Sequence, residues 1–175
     1  MRKGEFDSEM TPQPRERKTK TAQQALQSLM RLCARSEKST GDALRLMRTW
    51  GVPEAEQRGV LDRLLADRYI DNRRYAEAYT REKSQLAGWG ERKIAMQLRL
   101  KGVERETIST VLAELVADDS RAERLRDKLE RKLRTTKAAS DYELRGKLLR
   151  YALGLGYDYD VAVETVNKVV DNAAE

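Results

Sequence analysis

Cations dominate the residues that could act on a partner. They come in three sets: Arg73, Arg74 and Arg81; then Arg92, Lys93, Arg99 and Lys101; then Arg121, Arg124, Lys128, Arg131 and Lys132. Guanidinium and ammonium groups grip phosphate or carboxylate and fix a ligand's position without making or breaking its bonds. The groups that do bond chemistry are missing. There is no histidine, so the commonest general base is absent. The single cysteine, Cys33, can form no disulfide within the chain, and no Cys/His zinc site can be assembled. Cys33 reads as a small buried hydrophobe. Gly146-Lys147 stands outside any G-x-x-x-x-G-K-[ST] loop. Gly88-Trp89-Gly90 lacks the third glycine and the preceding strand of a dinucleotide loop. Asp71, Asp141 and Asp158 have simpler work at helix starts. The expectation is a binding protein without cofactor or metal, and not an enzyme.

The elements that must carry these cations are helical. Of 175 residues, 39% are hydrophobic and 37% charged, with prolines only at 12, 14 and 53. Ala, Leu, Arg, Glu and Lys prevail, a composition that favours helix throughout. The net charge of +6 is a mild basic excess, compatible with a polyanionic partner. With no apolar leader and no run approaching eighteen apolar residues, a cytoplasmic protein without a membrane span is expected. Residues 1–20 are polar and proline-bearing. They read as a disordered tail, or as a basic arm built on Arg15, Arg17, Lys18 and Lys20.

From there the chain divides into three segments, residues 21–69, 70–118 and 119–175. In the first, Ala22, Ala25, Leu26, Leu29 and Cys33 fall at helical spacing. Ser39 with Asp42 resembles a capping box for a second helix carrying Ala43, Leu44 and Met47 to a stop at Gly51. Val52 and Pro53 open a third helix that points Val60, Leu61, Leu64 and Leu65 inward. In the second segment, Asp71 caps a helix with Tyr75, Tyr79 and Leu86 on one face. Gly88-Trp89-Gly90 breaks it, and the next helix buries Ile94, Ala95 and Leu98 before Gly102. A last helix carries Ile108, Val111, Leu112 and Leu115.

With Gly51 set over Gly102, Val52 pairs with Val103, Val60 with Val111, Leu61 with Leu112, Leu64 with Leu115, Ala43 with Ile94 and Met47 with Leu98. With Gly156 set over Gly102, Leu148 pairs with Ile94, Tyr157 with Val103, Val166 with Leu112 and Val169 with Leu115. The third segment's middle helix, opened by a capping box at Ser140 and Glu143, is about one turn longer. The fold expected is all-α: three tandem three-helix repeats forming an elongated, curved solenoid. One unit alone is marginal, so the three are expected to share apolar faces and one continuous core.

The stretch Asp71-Asn72-Arg73-Arg74-Tyr75-Ala76 with Tyr79, then Gly88-Trp89-Gly90, Arg92-Lys93-Ile94 with Leu98, and Lys101-Gly102-Val103, resembles the RecX family, bacterial modulators of the RecA recombinase. The second acid of the family pattern is Asn72 here. The resemblance implies a non-enzymatic regulator that binds the RecA–single-stranded DNA filament and inhibits its ATPase and strand exchange, with roles in recombination, DNA repair and the SOS response. It also implies contact with single-stranded DNA, directly or through the filament; a monomer is expected. A helix-turn-helix-like DNA-binding protein and a protein-only helical adaptor are the alternatives.

The charged faces bear on such a role. In the helix from Asp119, Ala122, Leu125, Leu129 and Leu133 share an apolar sector. Arg121, Arg124, Lys128, Arg131 and Lys132 share a basic one. That stripe is either a solvated face laced with i,i+4 pairs or a surface for phosphate or an acidic partner. Arg92 and Arg99 share one flank of their helix, and Lys93 and Lys101 another. Arg73, Arg74 and Arg81 are close by in sequence. Trp89 is either a plug between two helices or an exposed anchor. Trp50 reads as packing.

Overall fold

The computed structural model describes residues 19–117 and 120–174, so the tail cations Arg15, Arg17 and Lys18 lie outside the described residues. Those residues form nine α-helices in three groups and no strand. The first group is α1 (Ala22–Cys33), α2 (Thr40–Thr49) and α3 (Glu54–Ala66). The second is α4 (Asn72–Gln85), α5 (Glu91–Leu100) and α6 (Arg105–Val116). The third is α7 (Ser120–Leu133), α8 (Asp141–Leu155) and α9 (Tyr159–Ala174).

Local signals set the helix starts. Thr21 and Gln24 form a reciprocal capping box at α1, which sequence reasoning missed. Ser39 accepts from the Asp42 N–H at α2, and Asp71 accepts from the N–H groups of Arg73 and Arg74 at α4. Ser140 caps α8 by accepting from the Glu143 N–H, but Glu143 reaches past it to the N–H of Ala139. The expected full box there is therefore only half a box. The middle helices end alike: Gly51, Gly102 and Gly156 take φ of 68°, 74° and 91°, a region that L side chains rarely enter. The α8 helix has 15 residues against 10 for α2 and α5, as its spacing predicted.

The repeat pairing places core residues as expected. Val52, Val60, Leu61 and Leu64 are buried, and so are Val103, Val111 and Leu115 in the second group and Tyr157, Val166 and Val169 in the third. One expectation fails. The buried apolar residues form three separate clusters, within residues 25–70, 75–115 and 125–170, rather than one continuous core. Three side chains also depart from their expected places. Leu65 is 39% exposed, because the α3 stripe ends at Leu64 and Gln57 fills the inner face, donating to the Val52 carbonyl. Leu86 is 79% exposed, because α4 has ended before it. Ala122 is exposed, because the first turn of α7 turns Arg121 inward instead.

With separate cores, polar joints must hold the repeats together. Each joint lays a helix start against the glycine turn of a middle helix. Gly41 of α2 donates its N–H to the carbonyl of Lys101, and Gly90 before α5 donates to that of Leu155. The N-terminal segment does the same to its own repeat, the Lys20 N–H donating to the Trp50 carbonyl. Each acceptor is the residue just before the turn glycine. The helix starts come so close that there is no room for a side chain: a Cβ on Gly41 would lie 2.6 Å from the Lys101 oxygen, and one on Gly90 would lie 2.5 Å from Gly156 backbone. Gly41→Ala and Gly90→Ala should each cost about 1–3 kcal/mol in urea denaturation. Gly59→Ala, in open space on α3, should instead stabilise by up to about 1 kcal/mol.

Candidate functional site

The joints consume several of the cations singled out in the sequence. At the first joint, Lys101 Nζ meets the Asp42 carboxylate at 2.8 Å. The Asn72 side chain accepts the Thr40 N–H and donates to the Gly102 carbonyl and the Glu104 carboxylate. At the second joint, Arg121 Nη1 lies 3.2 Å from the Glu91 carboxylate, both side chains only 14% exposed. The other oxygen of Glu91 accepts the Asp158 N–H. Arg124 is half-buried next to it and bonds the Ser120 hydroxyl. Arg74 ties α4 to Glu37 in the α1–α2 connection at 2.6 Å, and Arg73 pairs with Glu77 along its own helix. Arg121, placed with the outward basic stripe by its spacing, is thus turned into a joint.

Others remain available. Arg92 and Arg99 sit on the rim of a cleft of about 780 Å³ between α5 and α6, with Ala95, Leu112 and Val116 in its lining, and have no ion-pair partner among the described residues. Arg81 lines a smaller groove between α4 and α6 beside Glu77 and Glu114. On α7, Arg131 is exposed, and Lys132 lies 5.5 Å from the Tyr151 ring.

One set of cations is drawn together by the fold. Trp89 is half-buried against the core of the second repeat, where Tyr75 and Tyr79 stack at 5.8 Å. Lys93 Nζ stands 4.4 Å from its ring centroid and Lys83 Nζ 5.6 Å. Lys128, from α7, lies against Gly88, its Nζ 3.3 Å from where a Cβ would be. So lysines of α4, α5 and α7 lie around Gly88-Trp89 in the five-residue connection 86–90. Glu82 hydrogen-bonds Lys83 and raises its pKa, and is the one carboxylate paired with any of the three among the described residues. Gly90, clamped to the carbonyl of Leu155, fixes the loop in place. Lys83 was not among the cations singled out in the sequence; its position five residues before the Gly-Trp-Gly break was the available signal. Trp89 is part plug and part surface: half-buried against the core, it has Lys83 and Lys93 at its ring.

This arrangement sits within a region with known relatives. A model of the second three-helix domain of RecX matches residues 71–112, and one of the third three-helix domain matches residues 118–166. The regulatory protein RecX of Mycolicibacterium smegmatis is 32% identical over 172 residues, spanning 97% of this chain and 89% of that protein. The chain belongs to the RecX family. A further RecX, from Mycobacterium sp. strain KMS, is 37% identical over 110 residues, or 61% of this chain and 60% of the relative. In fold, the chain is similar to the crystal structure of RecX from Lactobacillus salivarius, with a TM-score of 0.72 over 85% of this chain and 96% of that one, at 17% identity. Membership of the RecX family brings a regulatory role. No helix among the described residues is long and apolar enough to cross a membrane.

Asp42 separates the joint from the surface cations in experiment. Burial pushes its carboxyl up, but the hydrogen bond and charge of Lys101, with help from Arg45 and the Ser39 backbone, outweigh burial and hold it below its ordinary value. A depressed pKa in the folded state means that the unfolded chain takes up its proton first. The stability Asp42 supplies is therefore full above its ordinary 3.8 and is lost as pH falls through that value and below. Asp42→Asn should lower stability at pH 7 by about 1–3 kcal/mol. It should also flatten the acid limb of a urea series run between about pH 5 and pH 2.

Proposed function

We propose that this RecX-family chain binds the RecA–single-stranded DNA filament in the cytoplasm and inhibits its ATPase and strand exchange without catalysis of its own. The observation that carries the reading is the convergence of Lys83, Lys93 and Lys128 on Gly88-Trp89. Like charges held together by a rigid loop are relieved by an anion, and a strand phosphate is the anion a filament offers. Phosphate contacts hold a strand without reading its sequence, which suits a regulator of filaments on any DNA. Arg92 and Arg99 supply a second cationic rim on the neighbouring cleft, for strand or for acidic recombinase surface. The units doing this are taken to be the tandem repeats 21–69, 70–118 and 119–175, acting as a monomer after a tail of residues 1–20.

The test is the single-strand-dependent ATPase of RecA titrated with this protein at near-physiological salt. The wild type should lower it. The triple variant Lys83→Gln/Lys93→Gln/Lys128→Gln should need about ten times more protein. Its log-log salt slope for single-stranded DNA should be shallower by about 2, at roughly 0.7 per lost phosphate contact. A folded triple variant with wild-type potency and slope would remove these lysines from the interface.

A further inference from the structure

The outer face of α5 carries apolar side chains that the core does not use. Met96 is 51% exposed and Leu100 72%. They lie one turn apart, and Arg92 and Arg99 stand one turn from Met96 on the same side, both exposed. The repeat itself does not require an apolar residue at either place. With Gly51 set over Gly102, Arg45 and Thr49 stand where Met96 and Leu100 do. With Gly156 set over Gly102, Arg150 and Gly154 stand there, Arg150 lining the counterpart groove between α8 and α9. On one flank of the α5 stripe, Arg92 and Arg99 line the α5–α6 cleft, whose apolar lining runs through Ala95 and Leu112 to Val116. On the other flank, Leu100 lines a groove of about 540 Å³ with Arg45 and Arg48 of α2. The acids that line these two clefts among the described residues are already held. Glu91 is taken by Arg121 and the Asp158 N–H, and Asp42 by Lys101 and Arg45. That leaves Arg48, Arg92 and Arg99 with no ion-pair partner among the described residues.

Apolar side chains in water, flanked by arginines without a counter-charge, fit one kind of ligand. A helix with one apolar face and acids beside it would cover Met96, Leu100 and the cleft lining, while its carboxylates pair with the guanidinium groups. A strand phosphate would satisfy the arginines but leave Met96 and Leu100 in water. The unbranched thioether of Met96 adapts its shape to an apolar neighbour. We propose that the outer face of α5, with the clefts on its two flanks, is a docking site for an acidic, amphipathic helix of a partner protein. The site goes beyond the filament reading, which leaves Arg92 and Arg99 to strand or acidic protein alike, and it uses none of the lysines around Trp89.

The probe is a fluorescein-labelled amphipathic peptide built only of Leu and Glu, about 18 residues or roughly five turns of helix. Its binding to the full-length chain is followed by anisotropy. The mixture contains no recombinase and no DNA, so its outcome is separate from that of the ATPase titration. The wild type should bind the peptide. Met96→Ala/Leu100→Ala should weaken binding about tenfold, because both side chains lose their burial against the peptide. Arg92→Gln/Arg99→Gln should weaken it about fivefold at low salt and less at high salt. Arg58→Gln/Arg63→Gln on α3 removes the same charge elsewhere and should bind like the wild type, which separates the site from the overall field of a +6 chain. In a separate titration, labelled oligo-dT should bind the Met96→Ala/Leu100→Ala variant as it binds the wild type. No binding by the wild type, wild-type affinity in either folded α5 variant, or an equal loss in the α3 variant would overturn the proposal. So would an equal loss of oligo-dT and peptide binding in the Met96→Ala/Leu100→Ala variant, which would make the face a nucleic-acid site.

Discussion

A helix leaves hydrogen-bonding groups unpaired at both ends, and this protein joins its repeats by letting those ends satisfy each other. A glycine in the left-handed region closes each middle helix and presents the carbonyl before it. The N–H of Lys20, Gly41 or Gly90, each at or next to a helix start, then points into that carbonyl at 2.8–3.0 Å. The positive end of one helix thereby meets the negative end of another, which adds a favourable dipole term. Since the three apolar clusters are separate and each is small, these polar contacts are what give the repeats a fixed relation.

The joints also decide what the charges do. A chain with 35 basic and 29 acidic residues has far more cations than any binding face needs. Lys101 and Arg121 are held by Asp42 and Glu91 at the two joints, and Arg74 is held by Glu37. What remains outward is a smaller and more informative set. Arg92 and Arg99 rim a cleft; Lys83, Lys93 and Lys128 lie around Gly88-Trp89; and the corresponding groove of the third repeat is lined by Tyr142 and Tyr159 with Arg145 and Arg150. The same helical frame thus carries different rim residues over a similar apolar lining, as repeat proteins do.

Much of the frame was legible beforehand because it rests on local rules. Turn glycines, capping residues and the inward pairs of the repeat follow from backbone sterics and helical periodicity. The failures lie where periodicity meets an end. Leu86 is one residue past its helix, Leu65 one past its stripe, and Ala122 gives way where a joint needs a cation. Asn72 shows the limit well. As a sequence departure it reads as a helix-start residue with one charge fewer. In the fold its amide donates to Glu104 and to the Gly102 carbonyl, two acceptors that a carboxylate could not serve.

The sequence by itself determined the all-helical class, the threefold repeat, the positions of the turns and most of the core, since each depends on neighbours within a few residues. Only the tertiary structure decided which cations are spent and which are free. That choice depends on residues far apart in the chain: Lys101 on Asp42, Arg121 on Glu91, and Lys128 on the Gly88 loop. A charge's role is set by its counter-charge and its burial, and both are fixed by packing between repeats, which no local pattern encodes.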